Sequence, residues 1–247
     1  MNCLVLGVVF TQHFCAACGS EHIRRNGRAG GHAKYPCKGC GHQARFTPAA
    51  VAKAVQYAQV DDLLSERNSQ RSIARVTGIS RVAIASRIKK AQAASPSLPR
   101  LRPKKEQKKE WEALELDEMG TFVGQRRRKV WLWLAVERAS RRIVAWVLGR
   151  RDAATARRLW LALPPRYRRH CWYFTDLWEA YVSVLPRWHH RRCPKGSGGT
   201  SIVEAINCSL RQRCGVLVRK SCSFSKSLSM HTARIKIVID MYNTTVN

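Results

Sequence analysis

Acidic side chains are scarce in this chain. Its 247 residues hold 16 Asp and Glu against 45 Lys and Arg, a formal net charge of +29. Such an imbalance favours a polyanionic partner, because neutralising phosphates releases counterions and supplies affinity whatever the base sequence. The chain also lacks an uncharged run long enough to span a bilayer and an amphipathic basic helix of the kind that lies on one. Met1–Phe10 (MNCLVLGVVF) is apolar, but it has no basic leader and no small-residue cleavage site behind it. It therefore reads as neither a secretion signal nor a membrane span. Without a secretion signal, the ten cysteines do not read as a disulfide framework. Their spacing argues for metal, and a nucleic-acid partner implies a reducing cytoplasm. No internal repeat is visible, and a hydrophobic content of 45% is ordinary for a globular chain.

What is present falls into zones. The first carries Cys15-x-x-Cys18 and Cys37-x-x-Cys40, eighteen residues apart, with Gly19 and Gly41 directly behind each second cysteine. Each pair makes a knuckle that aims two thiolates at one ion, and glycine lets the backbone turn tightly there. Four thiolates fill a tetrahedral site, so residues 13–47 read as a zinc-ribbon-like module holding structural Zn²⁺. His13, His32 and His42 are expected in solvent, with Arg24, Arg25, Arg28 and Lys34 placed between the knuckles to meet phosphate. The second zone is residues 48–94. Within it, Ser69–Gln92 reads as helix, turn and helix: Ser69 and Ser80 suit N-caps, Gly78 suits the turn, and Ile84 and Ile88 lie one turn apart. This is either an ordinary helical hairpin or a DNA reader, and the basic charge and the adjoining zinc module favour the reader. Arg81, Val82, Ser86 and Arg87 would then enter the major groove on the second helix. Residues 95–109, with three prolines and six Lys or Arg, read as an extended basic linker.

Residues 110–247 alternate apolar strand-like runs with helical ones. A first strand ends at Leu114–Asp117, Lys129–Glu137 and Arg142–Leu148 follow, and Asp152 caps a helix that Pro164 and Pro165 stop. Cys171–Thr175 reads as a fourth strand, with helices over Leu177–Val184, Ser201–Arg213 and about Phe224–Tyr242. Three antiparallel strands, a helix, a strand and then helices is the element order of a ribonuclease-H-like fold. The expected class is thus α+β and multi-domain: a zinc-ribbon-like module, a helix-turn-helix, then a ribonuclease-H-like α/β domain. Asp117, Asp176 and Glu204 stand at two strand ends and in the first turn of a helix. Carboxylates suit Mg²⁺ or Mn²⁺, and paired ions clamp the attacking and leaving oxygens of phosphoryl transfer. Plainer roles stay open: Asp176 as a helix N-cap, Glu204 as an acid favoured by the helix dipole, and Glu118 as ligand in place of Asp117. Cys171, Cys193, Cys208, Cys214 and Cys222 lack knuckle spacing and read as core or incidental thiols. His189-His190 reads as part of a basic loop.

Several stretches carry a family resemblance. Leu116-Asp117-Glu118-Met119, the Trp-rich strand, Thr175-Asp176-x-Trp178, Val203-Glu204-x-x-Asn207 with Leu210-Arg211, and Arg219-Lys220 through Ser227 with Met230-His231 resemble the catalytic part of insertion-sequence-one family transposases. The zinc knuckles and helix-turn-helix resemble the N-terminal DNA-binding part of the same elements. The resemblance implies a DDE-type triad of Asp117, Asp176 and Glu204 holding Mg²⁺ or Mn²⁺. It also implies double-stranded DNA as partner (element ends and target), a homo-oligomer on paired ends, and a bacterial, nucleoid-associated location. Arg211, Arg213, Arg219, Lys220 and Lys226 are then expected to clamp the DNA backbone. The family usually has Trp after the Asp-Glu pair, where this chain has Met119-Gly120, and Arg where it has Ala205. Its two halves are often joined by frameshifting, so a continuous chain reads as a fused frame or the shifted product. A catalytically decayed regulator and a ribonuclease-H-like nuclease or resolvase are the alternative readings.

Overall fold

The computed structural model describes residues 14–44, 49–93, 111–218 and 224–246. Met1–Phe10, the basic linker at 95–109, Arg219 and Lys220 lie outside the described residues. Two compact units divide between Gln59 and Val60.

The smaller unit holds four two-residue strands: β1 (Arg28–Ala29) pairs antiparallel with β2 (His32–Ala33), and β3 (Tyr35–Pro36) with β4 (Gln43–Ala44). So little sheet buries little apolar surface, and Cys15 and Cys37 are the buried hydrophobic positions described there. The helix α1 (Ala49–Ser65) follows.

In the larger unit, the end of α1 packs with α2 (Gln70–Thr77) and α3 (Arg81–Ala93). The Ser69 hydroxyl accepts from the Ser72 N–H at the start of α2, and the Ser80 hydroxyl accepts from the Ala83 N–H at the start of α3. Gly78 ends α2 with φ of 70°, a left-handed conformation that costs a residue with a Cβ about 1–2 kcal/mol. Val60, Leu64, Ile73, Ile84 and Ile88 form a core shared with Ala233.

The rest of this unit is built on a mixed five-stranded sheet: β5 (Glu112–Phe122), β6 (Lys129–Glu137), β7 (Ile143–Gly149), β8 (Cys171–Thr175) and β9 (His190–Arg192). The order is β7-β6-β5-β8-β9. β5–β6 and β6–β7 are antiparallel, whereas β5–β8 and β8–β9 are parallel. Alternation along β5 sends successive side chains to opposite faces. Leu114 and Leu116 join a core with α4 (Ala153–Ala162), α5 (Pro165–Arg169) and α6 (Glu179–Val182). Met119 joins the other core, with α7 (Ser201–Arg213) and α8 (Leu228–Thr245). In the Met119-Gly120 pair, where the resemblance places Trp, Met119 is a 2% exposed core residue, and a Cβ on Gly120 would lie 3.5 Å from the Trp131 ring. α8 also supplies Ala233 to the α1–α3 core, so one helix serves two packing faces. Beside it, the Arg67 N–H donates to the Arg213 carbonyl at 2.6 Å and Arg234 donates to the Asn68 carbonyl at 3.1 Å. Among the described residues no helix is long and apolar enough to cross a membrane.

Local expectations meet three differences. The first strand does not end at Asp117. It runs on to Phe122 because β6 pairs with it throughout, from Leu114 opposite Glu137 to Phe122 opposite Lys129. The helix expected over Leu177–Val184 is one turn, Glu179–Val182, because the Asp176 carboxylate takes the Trp178 N–H and Leu185-Pro186 follows closely. The last helix starts at Leu228, where the Ser227 hydroxyl accepts from the Met230 N–H. Asp152 caps α4 as expected, accepting from the Thr155 N–H at 2.8 Å. Pro164-Pro165 does more than stop that helix, since Pro165 opens α5 at a position where a missing N–H costs nothing.

Candidate metal centres

The two cysteine knuckles are built alike, although distant sequence supplies them. The Cys15 N–H donates to the Ser20 carbonyl and the Gly19 N–H to the Cys15 carbonyl; the Cys37 N–H donates to the His42 carbonyl and the Gly41 N–H to the Cys37 carbonyl. Gly19 and Gly41 take φ of 70° and 72°. Their matched turns bring all four sulfurs within 4.8 Å of one another, with Cys15–Cys40 and Cys18–Cys37 each at 3.6 Å. A tetrahedral site with metal–sulfur bonds of ~2.3 Å needs sulfurs about 3.8 Å apart, so the donor set fits zinc. The Cys40 N–H holds the Cys37 thiol down to about 6, and those of Ala17 and Cys18 lower Cys15. At Cys18 the Ser20 N–H favours the thiolate, but the sulfurs of Cys40, Cys37 and Cys15 outweigh it and push the thiol up to about 12. Four thiolates at this separation repel until a cation joins them. His32 and His42 are exposed, as are Arg24, Arg25, Arg28 and Lys34.

On the sheet, β8 ends at Thr175 while β5 continues, which leaves a notch beside Asp117. Asp176 is the first residue past β8. Oxygens of Asp117, Glu118 and Asp176 lie within 4.8 Å of one another. Asp117 faces the α7 side, where Asn207 Nδ2 donates to its Oδ2 at 2.6 Å. Glu118 faces the α6 side, where it accepts from Arg151 Nε at 2.8 Å and the Tyr181 hydroxyl at 2.9 Å. The two adjoining carboxylates therefore reach the notch from opposite faces. Asp176 does not cap α6; its Oδ1 accepts from the Trp178 N–H at 3.0 Å, two residues on. Glu204 lies outside the close group. It stands exposed in the first turn of α7, accepting from the Thr200 hydroxyl at 2.9 Å. It is near enough for its charge to raise Asp117.

Two supports of this arrangement were not legible in the residue spacing. Glu115, buried on the Asp117 face of β5, accepts from the Val203 N–H at 2.9 Å and so caps α7, which packs on that same face. Arg138 holds Glu115 at 2.8 Å and the Gly199 carbonyl at 2.7 Å. The helix that carries Glu204 and Asn207 is thereby fixed to the strand that carries Asp117. Behind Asp176, His190 Nε2 lies 2.7 Å from the Thr175 hydroxyl, which donates to the Asp176 carbonyl. That hydroxyl has one proton to give, so the His190 nitrogen is the donor to it.

The site is oxygen-rich and acid-dense, which suits a hard divalent cation. Asn207 is 4% exposed, and its Oδ1 is buried without a hydrogen-bond partner. An orphaned carbonyl oxygen next to Asp117 fits a cation or its water. Burial, with the Asp176 and Glu204 charges behind it, raises Asp117 from 3.8 to about 6. Burial also raises Glu118 from 4.5 to about 7, overriding the opposing pull of Arg151. Both groups keep their protons to higher pH in the folded chain than in the unfolded one. Without metal, their contribution to stability is full below about pH 4 and is lost as pH climbs through 6 and 7. A cation reverses this, because it binds the ionised form. Thermal melts should show Mg²⁺ raising the melting temperature more at pH 8 than at pH 5. Apparent Mg²⁺ affinity should fall about tenfold per pH unit below 6. A shift independent of pH would count against binding at these carboxylates.

The other expected contact residues are dispersed. Arg81, Val82 and Ser86 are exposed on α3, Val82 by 81%. Arg87 pairs through Nε and an NH₂ group with both oxygens of Asp61 on α1. Arg211 and Arg213 are half-buried on α7, and Lys226 is exposed before α8.

Carboxylates gathered at the notch of a mixed sheet belong here to a transposase domain: a family model described as IS1 transposase matches residues 112–244, more than half of the chain. The chain belongs to the IS1 transposase family. It is 39% identical over 117 residues to insertion element IS1 protein InsB of Shigella flexneri, a span of 47% of this chain and 86% of that protein. Insertion element IS1 4 protein InsB of Escherichia coli (strain K12) is 38% identical over 117 residues, 47% of this chain and 67% of that protein.

Proposed function

We propose that the chain binds the terminal inverted repeats of a bacterial insertion sequence and catalyses metal-dependent DNA cleavage and strand transfer. The observation that carries this reading is the convergence of Asp117, Glu118 and Asp176 oxygens within 4.8 Å, in a chain of this family. The sheet order and the helices on both faces support a ribonuclease-H-like catalytic domain over residues 110–247. The capped pair α2 and α3 supports a helix-turn-helix within 48–94, and the four thiols support a zinc module within 13–47.

Asp117 and Asp176 form the core of the metal site, and Glu204 is the third catalytic carboxylate. Mg²⁺ or Mn²⁺ bound there would supply charge stabilisation for in-line attack at a phosphodiester. Asn207 orients Asp117, and the Glu115–Arg138 pair holds α7 so that Glu204 swings from Thr200 toward the notch. Both Glu118 oxygens are held by protein donors, so it sets the charge of the notch and anchors Arg151. Arg81 and Ser86 read DNA from α3, with Arg87 bracing that helix through Asp61. Arg211, Arg213, Arg219, Lys220 and Lys226 meet phosphates. Copies of the chain act together on paired ends.

The test is strand transfer: purified protein, an element-end duplex, a supercoiled plasmid and Mg²⁺, with joined products read on a gel. Joined product is expected. End binding without cleavage would mark a decayed regulator, and cleavage without joining would mark a nuclease or resolvase. Glu204→Gln should lower joining at least a hundredfold. Glu118→Gln should act mainly by weakening the hold on Arg151, with the smaller loss. The reverse order would move the third ligand to Glu118.

A further inference from the structure

Unused chemistry lies at the opposite end of β8 from Asp176. The Trp111 ring, just before β5, has its centroid 4.6 Å from that of His189, 5.6 Å from that of His170 and 6.0 Å from that of Trp172. Trp172 is 5.4 Å from His189, and the Arg191 guanidinium stands over its ring at 4.4 Å. These rings are not core: Trp111 is 45% exposed, and Trp188, the neighbour of His189 in the chain, is 83% exposed. Arg191 is exposed. The acids Glu112 and Glu137 lie 3.7 and 3.6 Å from Arg166.

Exposed rings take up the flat faces of bases, and arginines beside them take up phosphate; this pairing is how single-stranded nucleic acid is held without regard to sequence. A membrane surface would not need a guanidinium held over one of the rings. We propose that this platform, on the footing that the chain acts on DNA, binds an unpaired nucleotide: the base stacks on Trp111 and Trp172, and its phosphate meets Arg191, whose guanidinium stands beside them. Trp172, on β8, and Asp176, the first residue past it, are four residues apart, about 13 Å of extended chain. That span is about four base steps of a duplex. The platform therefore holds a nucleotide a few steps from the bond to be cut, where strand separation exposes it.

Fluorescence anisotropy of the full chain with a labelled oligothymidylate and with a labelled random duplex tests this. Trp111→Ala should weaken single-strand binding about 5- to 100-fold. Duplex affinity should stay within about twofold, and Trp111→Phe should restore most of the loss. Circular dichroism checks the fold, and Arg191→Ala repeats the measurement should Trp111→Ala unfold. Unchanged single-strand affinity, or an equal loss on duplex, would overturn the platform. A parent protein that binds duplex but not oligothymidylate would overturn it and leave the DNA reading standing. A parent that binds neither would bring down both. A lower mass by light scattering in Trp111→Ala, with single-strand binding intact, would assign the rings to self-association and overturn it too.

Discussion

Asp117→Asn should remove Mg²⁺-dependent cleavage and joining while leaving element-end binding within about twofold. The substitution keeps the shape of the side chain and an oxygen for the Asn207 amide, but it takes away the charge at the centre of the notch. Losing several kcal/mol of charge stabilisation in the transition state lowers the rate roughly a thousandfold or more. The same change removes one of two buried carboxyls with raised pKa, so the metal-free variant should be at least as stable as its parent at pH 8. Activity and stability then move in opposite directions, which a merely misfolded variant would not do. Joined product from Asp117→Asn at the parental rate would show that the metal site lies elsewhere.

Cys37→Ser should unfold the smaller unit and reduce end binding to the non-specific level, a loss on the order of a thousandfold. Its short strands offer little apolar burial, and a structural zinc site contributes folding energy that small modules cannot replace. Removing the metal with a strong chelator should give the same result, reversed by adding Zn²⁺. The larger unit should keep its melting transition throughout, because its cores lie on the five-stranded sheet and on α1–α3. Native spectra and undiminished end binding after chelation would remove zinc from the account.

Much of this was legible in sequence where one local signal was enough. Two matched CxxC pairs with glycine behind them announced a four-thiol site, and the structure gathers those sulfurs. Ser69, Gly78, Ser80 and Asp152 act where they stand, because capping and a left-handed turn depend on neighbours three or four residues away. The extent of β5 was misjudged, since its second half lacks a continuous apolar run and is kept extended by β6. The spacing points to Asp117, Asp176 and Glu204, with Glu118 open in place of Asp117, and oxygens of Asp117, Glu118 and Asp176 lie within 4.8 Å of one another. Alternation along a strand predicts that neighbouring carboxylates diverge. It does not predict a notch, left where β8 stops, that both can enter.

The chain's own order of residues determined its charge, its cysteine knuckles and its helix caps, all of them consequences of composition and short-range chemistry. Tertiary structure alone decided that Glu115 caps α7 from the strand beneath it, that Asn207 holds Asp117, and that α8 packs on both the sheet and α3. Those contacts join residues 88, 90 and about 150 positions apart. No local periodicity encodes such pairs, because they exist only once burial of two sheet faces has fixed where each helix lies.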